Sequence, residues 1–211
     1  MTVRDEETKE RAIVVEARSS FAIVRLNRPA ERNSLSVTTL EELDSVVSAL
    51  IARTDISSII FTGTGDVFAA GADIRELTAL VPATAREFAA RGQRLFQKIA
   101  DATQLTIAAI NGYCMGGGLD LALACDTRCA SPAAVFAHPG ARLGIITGWG
   151  GTQRLPRLIG AARALELFAT ARRFNSQEAF EIGLVSRIGE PVLECAIEIA
   201  TAYLQQAPVT S

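Results

Sequence analysis

The apolar positions fall into short runs whose period changes along the chain. Ile13-Val14-Val15 and Phe21-Ala22-Ile23-Val24-Arg25-Leu26 are rich in β-branched residues and meet at Arg18-Ser19-Ser20, which predicts a hairpin ending at Asn27-Arg28-Pro29. Beyond it the period becomes helical: Leu40, Leu43, Val46, Val47, Leu50 and Ile51 define one apolar face, and Thr38 offers a hydroxyl N-cap with Glu41 three residues on. Phe88, Leu95, Phe96 and Ile99 mark a second helix. Ile59-Ile60-Phe61 and Thr106 to Ile110 read as buried strands, and Cys125 to Ala130 and Val135-Phe136-Ala137 as further strands. The remainder is mostly helical, with Ser176 as an N-cap and Gly183 as a C-terminal stop. Strands alternating with helices predict an α/β fold with parallel pairing, although periodicity does not say how the sheets are wound. No repeat, linker or low-complexity segment divides the chain, so residues 1–211 are expected to form a single domain.

Composition narrows the partners. With 211 residues, 49% of them apolar, the chain has material for one sizeable core. Lys and Arg number 21 against 23 Asp and Glu, so no basic field exists to attract nucleic acid or an anionic membrane. Met1 to Arg11 is charged and polar without a signal-peptide core, and no apolar run has the length of a membrane span; a cytoplasmic location is expected. The four cysteines lie in or beside apolar segments and are expected to be reduced. Cys125 and Cys129 lack a matching pair and His138 is the sole histidine, so no metal site is expected.

The chemistry concentrates in two glycine-bearing turns. In Asn111-Gly112-Tyr113-Cys114-Met115-Gly116-Gly117-Gly118-Leu119-Asp120, an apolar run ends in three glycines that open a helix and set a carboxylate one turn inside it. Glycine permits positive φ and close approach to the main chain, and the first N–H groups of a helix are unpaired at the positive end of its dipole. Upstream, Phe68-Ala69-Ala70-Gly71-Ala72-Asp73-Ile74 is a second small-residue turn beyond a strand. Two such turns can offer two donors to one carbonyl oxygen, as an oxyanion hole requires. A serine hydrolase is disfavoured, because no Gly-x-Ser-x-Gly is present.

Four motifs in order, Asn27-Arg28-Pro29, Phe68 to Ile74, Asn111 to Asp126 and Gly148-Trp149-Gly150-Gly151-Thr152-Gln153-Arg154-Leu155, make the stretch from about Ala12 to about Leu204 resemble the crotonase, or enoyl-CoA hydratase/isomerase, superfamily. The resemblance implies a spiral of ββα units with two roughly perpendicular sheets surrounded by helices. It implies a coenzyme A thioester as substrate and no separate cofactor. The Ala72 and Gly117 N–H groups would hold the thioester carbonyl, with Gly116 beside them. The main chain from Ala30 through Arg32 to Asn33, and at Ala70, Gly71 and Ala72, would hold the adenine and pantetheine portions. Arg75, after Asp73, would lie near the phosphates and Gly148 near the carboxylates. Trp149 is large for its place, and its bulk either narrows the acyl pocket or belongs to the core. Of the two glutamates of the hydratases, the first corresponds to Asp120 and the second to Gly140, which has no side chain.

Asp120 is therefore expected to face the pocket as the main acid/base if burial raises its pKa. His138, two residues before the vacant position, is expected to replace part of the missing group, and Gly140→Glu to raise hydration. Weak classical hydratase activity follows. The alternatives are a different crotonase reaction such as decarboxylation, or a catalytically impaired acyl-CoA binder. Full members of the family continue into a further helical segment that closes the acyl pocket and packs the oligomer. Its absence here predicts exposed apolar surface and self-association as a trimer or hexamer.

Overall fold

The computed structural model describes residues 11–206. Strands β1 (Ile13–Arg18) and β2 (Phe21–Leu26) form the expected antiparallel hairpin, with Ile13 opposite Leu26 and Arg18 opposite Phe21. A short 3-10 turn at Pro29–Glu31 leads to β3 (Ser34–Leu35) and helix α1 (Val37–Ile51). The cap of α1 is Ser36 rather than Thr38: Ser36 is extended and its hydroxyl accepts from Thr39 N at 3.2 Å, which leaves Thr38 inside the first turn. Strands β4 (Ser58–Gly63), β5 (Val67–Ala69) and β6 (Gly71–Ala72) follow, then α2 (Ile74–Thr78) and α3 (Pro82–Ala100).

The apolar run before the glycine triple is two strands in different sheets. β7 (Leu105–Ile110) ends at Asn111-Gly112, and β8 (Tyr113–Met115) lies between that corner and α4 (Gly117–Ala124). The corner is held by Asn111, whose Oδ1 accepts from Gly63 N at 2.9 Å while its Nδ2 donates to Gly65 O at 2.9 Å. The chain continues through β9 (Thr127–Ala130), β10 (Val135–Ala137), a 3-10 turn at Pro139–Leu143, α5 (Gly151–Ile159), α6 (Ala161–Thr170), β11 (Phe174–Asn175), α7 (Ser176–Glu181), β12 (Arg187–Ile188) and α8 (Val192–Gln206). Asn175 caps α7, accepting from Glu178 N at 2.9 Å; Ser176 is already helical and its hydroxyl donates to Pro132 O. Gly183, at φ +79°, follows the end of α7 as expected.

Six strands in the order β1-β2-β4-β7-β9-β12 form one sheet, parallel apart from the hairpin; β11-β10-β8-β5 form a second, and β3-β6 a parallel pair. Both faces of the large sheet are covered, which is why its inner strands read as continuous apolar runs. On one face Val24, Ile59, Phe61, Ala108 and Ile110 join Leu40, Phe96 and Leu119 in the main core. On the other, Ile23, Ile60, Ile107 and Cys129 pack against Val192, Ala196 and Ala200 of α8. Helix α4 is buried from Gly118 to Ala124. Its last carbonyls are taken by the buried guanidinium of Arg128 on β9, which donates to Cys125 O at 2.7 Å, Ala122 O at 3.4 Å and, in the turn after α7, Leu184 O at 2.8 Å. The central helix is thereby fixed at its C-terminal end, and its N-terminus is set against the two glycine turns.

Candidate active site

The two turns touch. Gly71 has φ +97° and Gly116, the residue before α4, has φ +50°, so both backbones use conformations that side chains disfavour. A Cβ placed on Gly71 would stand 2.8 Å from Met115 O and 3.0 Å from Gly117 N, and one on Gly117 would stand 3.4 Å from Ala72 N. The N–H groups of Ala72 and Gly117 are therefore neighbours. Gly116 N is already engaged, donating to Ala137 O at 2.9 Å, whereas Gly117 is the first helical residue, whose N–H has no acceptor within the helix. Both turns border a cavity of about 270 Å³, together with Ala70, His138, Gly140 and Gly148.

Asp120 lies one turn into α4, fully buried, and it does not border this cavity. The expectation that it faces the pocket is corrected by the return of the chain at α5. Thr147 Oγ1 donates to Asp120 Oδ2 in a very short hydrogen bond, and the Trp149 and Gly151 N–H groups at the start of α5 also favour the carboxylate. Burial outweighs these donors and raises the carboxyl to about 7. His138, which does border the cavity, brings Nε2 to 3.6 Å from Asp120 Oδ1. Neither of those two atoms has another partner, and their separation slightly exceeds a hydrogen bond. Burial lowers the imidazole to about 4, so it is neutral at physiological pH.

These shifts carry a stability signature. Asp120 holds its proton more tightly folded, at about 7, than at the ordinary value of 3.8, so its contribution is fully present below about pH 4 and is lost as pH rises through 7. The loss is on the order of 4 kcal/mol. His138, lowered from 6.5 to about 4, acts in the opposite sense, its contribution lost as pH falls through that window. Asp120→Asn retains an acceptor for Thr147 and leaves His138 in place. The melting temperature of the variant is expected to gain on the wild type between pH 4 and 7 and to hold that gain above 7. A difference independent of pH across thermal melts would show that the carboxyl is not shifted.

Gly140 stands on the cavity wall, but the wall is tight. A Cβ there would meet Ile145 O at 2.7 Å, and Ile145 N already donates to Gly140 O at 3.0 Å. A glutamate therefore requires the 140–146 backbone to move, which reverses the expectation of a gain in hydration. Gly140→Glu is expected to cost about 1–3 kcal/mol of stability and to leave crotonyl-CoA hydration no faster. A variant with unchanged melting temperature and faster hydration would show that the loop yields.

The remaining predicted residues divide. Gly148 borders the cavity, and its carbonyl accepts from Gln93 Nε2 at 2.7 Å. Arg75 does not reach the cavity: its guanidinium forks onto Asp73, Nε to Oδ1 at 3.1 Å and NH2 to Oδ2 at 2.6 Å, and holds that carboxyl down at about 2. Arg32, with φ +54°, lays its guanidinium 5.2 Å from the centre of the Tyr113 ring, and Ala30 sits in the preceding 3-10 turn; neither borders the cavity. Residues that sequence reasoning did not assign to the site supply the apolar lining: Leu77, Leu80, Phe88, Leu143, Ile145 and Ile146. Phe88 lies on the helical stripe of α3, which marks a helix but not a pocket wall, and the segments of the others carry no clean period. Thr147, which holds Asp120, was also unsignalled.

A fold of this topology with this site belongs to a defined class. The sequence model described as enoyl-CoA hydratase/isomerase matches residues 16–211. A short-chain-enoyl-CoA hydratase of Clostridium acetobutylicum is 38% identical over 200 residues, covering 93% of this chain and 77% of the relative. A crotonyl-CoA hydratase of Syntrophomonas wolfei is 43% identical over 180 residues, covering 85% and 69%. The crystal structure of an enoyl-CoA hydratase from Bacillus anthracis superposes with a TM-score of 0.90 at 39% identity, over 94% of this chain and 78% of the other. The protein has the crotonase fold and belongs to the enoyl-CoA hydratase/isomerase family. Among the described residues, no helix is long and apolar enough to cross a membrane.

Proposed function

We propose that this enoyl-CoA hydratase/isomerase-type protein acts on an enoyl-CoA thioester, whose carbonyl oxygen accepts from the Ala72 and Gly117 N–H groups. Polarising that carbonyl acidifies the adjacent carbon and stabilises the enolate formed when a proton leaves. His138 borders the substrate and Asp120 backs it, so the proton lifted from carbon resides on this pair and returns at a different carbon. Double-bond migration needs one such pair. Hydration also needs a group to hold and activate water, and Gly140 offers none, so hydration is slow; a missing acid or base typically costs about 10²- to 10⁴-fold. Coenzyme A enters as part of the substrate.

The observation that carries this reading is the juxtaposition, on one cavity, of two glycine-turn N–H groups with His138, which is backed by the buried Asp120 carboxyl. Incubation with enoyl-, dienoyl- and malonyl-type CoA thioesters, with products followed by mass and double-bond position by nuclear magnetic resonance, tests it. Migration faster than hydration is expected. Turnover of the malonyl thioester alone would favour decarboxylation, and binding without turnover an acyl-CoA binder. Self-association as a trimer or hexamer belongs to the same reading, supported by exposed apolar side chains at Leu158, Leu165 and Phe180.

A further inference from the structure

Trp149 is the chain's single tryptophan, and although only 3% exposed it reaches two openings. It borders the apolar cavity, and with Gly148 it also borders a second cleft, of about 800 Å³, walled by Gln93, Arg94, Gln97 and Arg157. The indole is thus a partition between an apolar chamber and a polar, basic one. It is tightly held there. A Cβ on Gly92 of α3 would lie 2.4 Å from its Cδ1, and one on Gly117 of α4 would lie 2.4 Å from its Cζ3. Phe88 lies tilted against it with ring centres 5.3 Å apart, Phe96 meets it edge-on at 5.7 Å, and Nε1 donates to Phe88 O at 3.3 Å. Two aromatic contacts and a satisfied N–H leave the ring little freedom to swing aside.

The same ring edge that abuts Gly117 lies beside one of the two carbonyl donors. A chain leaving a carbonyl held at Gly117 would enter a cavity lined by Leu77, Leu80, Phe88, Ile145 and Ile146, and the indole borders both that cavity and the cleft. None of these wall side chains offers a hydrogen bond. We propose that Trp149 is the specificity-determining stop of the acyl site. It restricts the substrate to thioesters of unsubstituted aliphatic acids and sets their maximum length, and it excludes chains ending in a charge that would otherwise reach the arginine-lined cleft. This inference rests on the acyl-CoA reading above and is decided by binding, independently of turnover.

Because Trp149 is the only tryptophan, its fluorescence reports on the site directly. Titration of the wild type with free coenzyme A and with saturated acyl-CoAs from butyryl to palmitoyl is expected to change the emission only when an acyl chain is present, with affinity rising along the series and then breaking off. In Trp149→Phe and Trp149→Leu, measured by calorimetry, the break is expected to move to longer chains. The affinity for the first chain refused by the wild type should rise about tenfold or more. Emission indifferent to the acyl chain, or folded variants that keep the wild-type break, would overturn the assignment; the wild-type titration decides even if neither variant folds. Binding with a movable break but no turnover of any thioester would leave the stop in place and remove the catalytic reading. Failure of every acyl-CoA to bind would remove both.

Discussion

Asp120→Asn is expected to lower turnover of an enoyl thioester by about 10²- to 10⁴-fold while leaving thioester affinity nearly unchanged. Asn keeps the volume and an oxygen for the Thr147 hydroxyl, but it cannot take a proton or balance one on His138. The carboxyl is buried behind the imidazole and does not border the cavity, so the loss should appear in kcat rather than KM. The pH profile separates chemistry from packing. With the carboxyl raised to about 7 and the imidazole lowered to about 4, wild-type activity should climb with pH through about 7 as Asp120 ionises, and residual activity in the variant should lose that limb. A variant as active as wild type, or one with the limb intact, would remove Asp120 from the mechanism.

Gly71→Ala is expected to have an effect of similar size by a different route. Its added methyl would lie 3.0 Å from Gly117 N and 2.8 Å from Met115 O, at a residue whose φ is +97°. The methyl crowds a donor, and the strain pulls the two turns apart. Loss of one oxyanion donor typically costs about 10²- to 10³-fold in kcat, and the strained backbone about 1–3 kcal/mol of stability. Thermal melts establish that the variant is folded, and steady-state kinetics then read the donor. Folded Gly71→Ala protein with wild-type kcat would mean that the two N–H groups do not act on a common oxygen.

Much of this architecture was legible because burial on both faces of the large sheet leaves uninterrupted apolar runs, and because α1 and α3 carry a clear helical stripe. The caps were misplaced by one or two residues. Ser36, Thr38 and Thr39 all carry hydroxyls, and only the turn of the backbone at Ser36 decides which one accepts. Strand β8 was illegible for another reason: three apolar residues beyond Gly112 prolong the run of β7, and the change of sheet is made by a corner that leaves hydropathy untouched. At the site, composition marked both glycine turns as able to offer backbone donors and the family resemblance implied their pairing, whereas neither gave the orientation of Asp120. That orientation is decided by α5 arriving from residues 147–151, more than a score of positions later, with a threonine that no spacing rule singles out.

The indole wedged between α3 and α4 also constrains how this chain can drift. It occupies the space that side chains at positions 92 and 117 would fill, so the three positions cannot vary one at a time. A lineage that exchanges Trp149 for a small residue gains room at 92 and is free to place a side chain there, while position 117 is further limited by its backbone N–H. Substrate range and helix packing are thus inherited together, and homologues should show large-for-small exchange between 149 and 92. A shift in acyl preference would then be accompanied by a readjusted seam between two helices, rather than appearing as a change confined to the pocket.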